Sequence, residues 1–283
     1  MYRKLCKYEF KSIGRTLLPI YLAVIVVSII NAFSMSVSQQ FTDGFAFSSG
    51  GALQDILGLL QVVFVFAYFA LLCALFVLTL VIIIQRFYKG LLCDEGYLMF
   101  TLPVKTWHLI ASKATAALVM SILSAIAAMI SIFILATGAM SDPANFLFSL
   151  INPKNWAMFF YDASTVSPLW PLYALELLAL LIVGALASLF HIYVSLALGH
   201  LFKKHRILLA IVAYIVISMA LSFLSGMGLI VLGSWLEFVV VLPLTGNAAA
   251  QLVIGGMLVW SLLQLVAFFI GTERILSKKL NLE

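Results

Sequence analysis

Charged side chains are scarce in this chain. Only 10% of its 283 residues are Asp, Glu, Lys or Arg, against about a quarter in an ordinary soluble domain, so a normal water-facing surface cannot be built from it. Histidine is scarcer still, and His108, His191, His200 and His205 do not stand with Cys or carboxylates at metal-ligand spacing. There is no G-x-x-x-x-G-K-S/T loop to hold phosphates, no H-E-x-x-H zinc site and no G-x-S-x-G nucleophile turn. The chain therefore lacks every recognised route to hydrolysing ATP, and it is read as a non-enzyme. Of three cysteines, Cys73 falls inside an apolar block and Cys6 and Cys93 fall beside the basic segments read below as cytoplasmic, so no disulfide framework is expected.

What fills the chain instead is apolar residue, 64% of the total. It comes in six blocks: Leu17 to Ala32, Ile56 to Ile84, Leu109 to Thr137, Pro171 to Leu198, Ile207 to Gly233 and Ala248 to Gly271. At about 1.5 Å per helical residue, each covers most or all of a hydrocarbon layer of about 30 Å. The expectation is an all-α membrane protein, a single transmembrane domain over 1–283 with spans near 17–35, 56–84, 108–138, 170–199, 206–233 and 248–272. A cleaved signal peptide would need an A-x-A-like site after the first block, and none follows.

Basic residues set the expected orientation, because cationic loops resist translocation. Of 16 Lys and Arg residues, all but Lys154 flank the same ends of the alternating spans: Arg3 to Arg15, Arg86 to Lys113, Lys203 to Arg206 and Arg274 to Lys279. Both termini are thus placed in the cytoplasm. The positive balance is read as a collar for anionic lipid, where each basic residue contributes about 1 kcal/mol, and no nucleic-acid partner is implied.

Between the blocks the sequence is less regular. In residues 1–16, Tyr2, Cys6, Phe10, Ile13 and Leu17 recur at helical spacing opposite Lys4, Lys7, Lys11 and Arg15, which predicts a separate amphipathic helix in the interface. Residues 33–55 read as a flexible outer link, 140–170 as an aromatic, proline-broken segment at headgroup level, and 234–247 as a re-entrant or interfacial element. Glu176 and His191 are the ionisable residues at bilayer depth and read as structural. Asn31, Gln61, Gln251 and Gln264 suit cross-helix hydrogen bonds, while Gly226, Gly255 and Gly256 permit close helix approach, within one bundle or between two chains.

The most informative stretch is Arg86 to Lys113, R-F-Y-K-G-L-L-C-D-E-G-Y-L-M-F-T-L-P-V-K-T-W-H-L-I-A-S-K. Leu91, Leu92, Tyr97, Leu98, Met99, Phe100 and Leu102 give it more apolar surface than a solvated link needs, which points to a docking element for another protein. Pro103 closes that element and Trp107 marks the interface.

This stretch resembles the permease subunits of bacterial ABC-2-type exporters, where a run like D-E-G-Y-L-x-F-T-L-P-V, followed by S-K, joins spans two and three. Asp94 to Leu98, Phe100 to Val104, Ser112 and Lys113 match it. The resemblance implies a coupling helix formed from Gly90, Leu91, Asp94, Glu95, Gly96, Tyr97, Leu98, Phe100 and Pro103, fitting a cleft in a separate ATPase. It also implies two permease chains with two ATPases, ATP and magnesium held on the partner, and a place in the bacterial cytoplasmic membrane. The longer outer segment here lies between spans three and four, whereas such exporters more often elaborate the one between five and six. A nearly uncharged interior suits amphipathic or lipophilic cargo; a secondary transporter or a non-transporting scaffold or sensor are the alternatives. The orientation is testable: cysteines placed at Ser48 and Lys154 should react with an impermeant thiol reagent outside intact cells, and cysteines at Lys105 and Lys204 should not.

Overall fold

The computed structural model describes residues 2–44, 52–93, 96, 105–140, 142–202, 204–240 and 246–278. Among them are eight α-helices: α1 (Tyr2–Gly44), α2 (Ala52–Phe87), α3 (Thr106–Gly138), α4 (Pro143–Ile151), α5 (Pro153–Val166), α6 (Trp170–His200), α7 (Arg206–Val240) and α8 (Gly246–Lys278). A π-helical turn, Tyr88–Leu92, continues α2. Six of the helices, α1, α2, α3, α6, α7 and α8, are long and apolar enough to cross a membrane. The chain is a multi-pass membrane protein. Its helices expose large apolar side chains, with Phe66, Met129 and Ile230 each at least 70% exposed, a surface that suits hydrocarbon and would aggregate in water.

Several expected boundaries move. The interfacial helix of residues 1–16 is not separate: α1 runs through it and through Pro19 without a break, so its basic stripe is the first part of the first span's own helix. Proline at 19 lacks the N–H that would bond the carbonyl four residues back, and the rest of the ladder carries the helix past it. Helix also covers 33–44 and 52–55 of the expected outer link. Ser234 to Val240, expected as a re-entrant element, instead extends α7, because nothing in that apolar run stops a helix. In the aromatic segment the prolines start helices rather than break them. Pro143 opens α4, capped by Asp142, whose carboxylate accepts from the Asn145 N–H at 3.2 Å, and Pro153 opens α5. Proline is tolerated there because the first helical N–H has no partner anyway.

The chain divides into two compact units. One comprises Lys7–Ile83 and Val119–Phe159. Within it α1 buries Ile13, Leu17, Tyr21, Val24, Ser28 and Asn31, a three- and four-residue spacing that keeps them on one face. That face is polar at intervals: Ser28 donates to the Ile25 carbonyl of its own helix at 2.7 Å, and Tyr21 and Asn31 are met from other helices. The Tyr21 hydroxyl lies 2.8 Å from Ser124 Oγ and donates to the Met120 carbonyl at 3.2 Å. Thr79 Oγ1 of α2 reaches the same Ser124 at 2.9 Å, and the Tyr68 and Ser131 hydroxyls pair. Toward the far end, Asn31 Nδ2 donates to the Phe64 carbonyl at 3.1 Å and Ser34 donates to Gln61 Oε1 at 3.0 Å. A Cβ on Gly138 would collide with the Ala32 backbone, so glycine is what lets α1 and α3 touch there.

The other unit comprises Met1–Cys6, Ile84–Leu118 and Phe160–Glu283. Here α6 packs against both α7 and α8, and mid-helix the contacts are aromatic and small-residue, with hydrogen bonds at the ends. His191 of α6 stacks between Tyr214 of α7, centroids 4.5 Å apart, and Phe268 of α8, 5.0 Å apart. Phe190 meets Phe269 edge-on at 5.4 Å. At the α6–α7 turn a Cβ on Gly199 would come within 2.5 Å of the Ala210 N, and His205 turns the chain with a left-handed φ of 55°. At the opposite end, Tyr173 donates to the Asn247 carbonyl at 3.1 Å.

Ser124 serves two helices at once, so Ser124→Ala should lower the thermal midpoint in detergent by an amount equivalent to about 1 kcal/mol, the scale of an interhelical hydrogen bond in membranes. Ser225→Ala, whose hydroxyl bonds only the Ser222 carbonyl of its own helix, should leave the midpoint in place.

Candidate functional site at the α2–α3 junction

The junction begins where α2 changes pitch. The π-helical turn inserts one extra residue without breaking the helix, a feature often found at functional positions. It turns Phe87, Leu91 and Leu92 fully inward, at 0–2% exposure. Phe87 stacks face to face on Tyr193 of α6, with centroids 3.9 Å apart and planes 8° from parallel. Tyr88 meets His200, the last residue of α6, edge-on at 6.1 Å, and His200 Nε2 lies 3.2 Å from Arg206 Nη1 at the start of α7. The end of α2 is thus fastened to α6 by two ring contacts, and through His200 to α7.

The third attachment is a buried cation. Lys113 of α3 is only 5% exposed, and its ammonium donates to the Arg86 carbonyl at 3.4 Å. That carbonyl belongs to the last turn of α2, where unbonded C=O groups concentrate negative partial charge, so a cation there is favourable. Gly90 makes room for it: a Cβ at Gly90 would stand 2.5 Å from Lys113 Nζ. Ser112, beside it, is equally covered and bonds its own Leu109 carbonyl at 2.9 Å. Cys6 of α1 lies 3.6 Å from Thr115 on the same helix α3.

The sequence-based docking face looks different once placed. Gly90 and Leu91 are buried by the chain itself, so they shape the root of the segment rather than its surface. Gly96 is buried too; its N–H bonds the Cys93 carbonyl at 2.7 Å, and a Cβ would come within 2.6 Å of the Leu91 carbonyl oxygen. Its lack of a side chain serves a close turn of this chain onto itself. Asp94, Glu95, Tyr97, Leu98, Phe100 and Pro103 lie outside the described residues. Phe87, Tyr88, Tyr193, His200 and Arg206 were not singled out as a site by sequence, since they are scattered over three helices and carry no local motif. Lys113 carried a signal in its match to S-K, yet its basic character placed it in the lipid collar.

Among the other candidates, Gly226, Gly255 and Gly256 face open space, with nothing within 4 Å of a Cβ on any of them. They are not used for packing inside this chain. Glu176 Oε2 and His191 Nε2 are buried and have no hydrogen-bond partner among the described residues. No known protein family, no curated protein and no solved structure matches the chain.

The Gly90–Lys113 contact predicts a coupled pair. Gly90→Ala alone should cost stability at the low end of core overpacking, about 1 kcal/mol, because the obstructing atom is the end of a lysine side chain that can shift, and the cost should shrink when Lys113→Ala removes the ammonium. Thermal unfolding of the two single variants and the double variant measures this as an interaction energy, and additive losses would separate the two residues.

Proposed function

We propose that the chain is the membrane-spanning permease subunit of an ABC exporter, moving an amphipathic or lipophilic cargo outward with ATP hydrolysed, with magnesium, on a separate subunit. The observation that carries this reading is the run Asp94 to Val104 with Ser112 and Lys113 between two spans, matching the exporter coupling segment position by position. The way the segment is rooted supports it. A coupling element must hand motion to membrane helices, and the end of α2 with the π-helical turn ahead of this one touches α6 through Phe87–Tyr193 and Tyr88–His200. Lys113, the S-K lysine, holds the other side of the same root.

On this reading both termini and the segment face the cytoplasm of a bacterium, and two permease chains work with two ATPases. Exposure supports a partner for the last spans: the most apolar stretch of α8 has 0% of its residues buried and that of α7 only 6%. Gly226 and Gly255, unused within the chain, are the residues that would let a second permease helix approach closely. The largely apolar spans offer weak, non-directional contacts, which suit a lipophilic cargo better than an ion.

The test is association with an ATPase. Purification of the tagged chain from its native membrane in mild detergent, with mass spectrometry of what accompanies it, should recover a nucleotide-binding subunit. Tyr97→Ala or Phe100→Ala should then weaken that association by a factor of about 30, since truncating an aromatic anchor at an interface commonly costs about 2 kcal/mol. Unchanged recovery with both variants would leave these aromatics resting on lipid headgroups and remove the coupling role.

A further inference from the structure

The ring stack at His191 draws α7 and α8 together on α6. Farther along both helices, away from their basic termini, a cavity of about 350 Å³ opens between them. At 1.5 Å per residue its Leu224 stands roughly 27 Å along α7 from Arg206, and its Trp260 roughly 21 Å along α8 from Arg274. In a membrane with about 30 Å of hydrocarbon, that is the acyl region of the leaflet opposite the basic residues.

We propose that this cavity seats one acyl chain of a membrane phospholipid from that leaflet. The lining is almost wholly apolar: its one hydroxyl, on Ser225, already donates to the Ser222 carbonyl at 3.1 Å, which leaves the Trp260 indole N–H as its other side-chain polar group. A polar cargo or a peptide backbone would leave nearly all its hydrogen bonds unanswered there. The size excludes a helix of a second chain, because a helix about 10 Å across fills such a volume in roughly one turn. At about 30 Å³ per water-sized group, the space takes on the order of ten methylene-sized groups in a row. Its side is open, with Leu224 53% and Met257 44% exposed, so a chain can enter from the bilayer without any helix moving. Gly228 and Gly256 give it width, since a Cβ on either meets nothing within 4 Å.

The seat is distinct from the face proposed for pairing. Gly226 lies about 200° around α7 from Gly228, and Gly255 about 200° around α8 from Met257, at 100° per residue. The inference rests on the membrane-spanning helices alone and stands whether or not the chain is an exporter subunit.

The experiment is native mass spectrometry of the full chain released from mild detergent after reconstitution in dioleoylphosphatidylcholine vesicles. The wild type should retain one phospholipid per chain. Gly228→Leu and Gly256→Leu, whose side chains grow into the cavity, should lose it, while Gly58→Leu on α2, also open to 4 Å, should keep it. Equal retention in all four proteins, or a fall in paired chains with lipid retention unchanged in the two cavity variants, would overturn the proposal. A second readout needs no glycine change. In a chain with Trp260 as its sole tryptophan, phosphatidylcholine dibrominated in mid-chain and added to the detergent-purified protein should quench fluorescence with saturation near one lipid per chain. Quenching that rises without saturating would mark ordinary surface lipid and sink the idea.

Discussion

Hydrocarbon offers no hydrogen bonds, and that constraint organises the molecule. Every backbone group in a span must be satisfied locally, which makes the six long helices obligatory. The same rule decides where polar side chains can stand. In the unit holding most of α1 and α2, Tyr21, Thr79 and Ser124 form one cluster, Tyr68 and Ser131 a pair, and Asn31, Ser34 and Gln61 a third group. These are cross-helix bonds, and each fixes a register between two helices that apolar packing alone leaves free to slide. On α7 and α8 the hydroxyls of Ser225, Ser234 and Ser261 bond carbonyls of their own helices instead. Polar contacts to other helices come near their ends, through Asn247 and Arg206, and aromatic stacking on α6 and exposed small residues characterise the stretches between.

The spans were legible because hydropathy and length are properties of contiguous sequence, and six blocks became six helices. Boundaries were less so. A basic, amphipathic stretch such as residues 1–16 looks like an interfacial helix whether it bends away from the span or runs straight into it, because periodicity does not encode the angle between two helical segments. The apolar tail from Ser234 was misread for a related reason, since helix length beyond the hydrocarbon leaves no mark in composition. Inter-helix partnerships were hidden altogether. Asn31 and Gln61 were recognised as hydrogen-bonding residues, but their partners, Phe64 and Ser34, depend on register. Gly138 passed unnoticed beside the glycine-rich spans, yet it makes the closest approach, while Gly226 and Gly255 face outward.

The junction after α2 shows how a sequence motif and its structural support can differ in kind. The motif is contiguous and was read as surface. Its root is assembled from distant positions, Phe87 on Tyr193, Tyr88 on His200 and Lys113 on the Arg86 carbonyl. A buried lysine is costly unless its charge is answered. Part of the answer here is the carbonyl end of a helix, a dipole that is fixed in direction and therefore constrains how α2 and α3 can tilt against each other.

That geometry sets the route a push on the segment would follow. Phe87, the residue before the π-helical turn, bears on Tyr193, two residues from His191 on the same helix, and His191 is clamped between Tyr214 and Phe268. A displacement of α6 at the turn therefore loads α7 and α8 together, through rings in face-to-face contact that resist compression but slide with little cost. Hydrogen bonds in place of these stacks would break stepwise and dissipate the motion. The cavity beyond the stack, open to the bilayer and lined almost wholly by apolar groups, lies between the two helices so loaded.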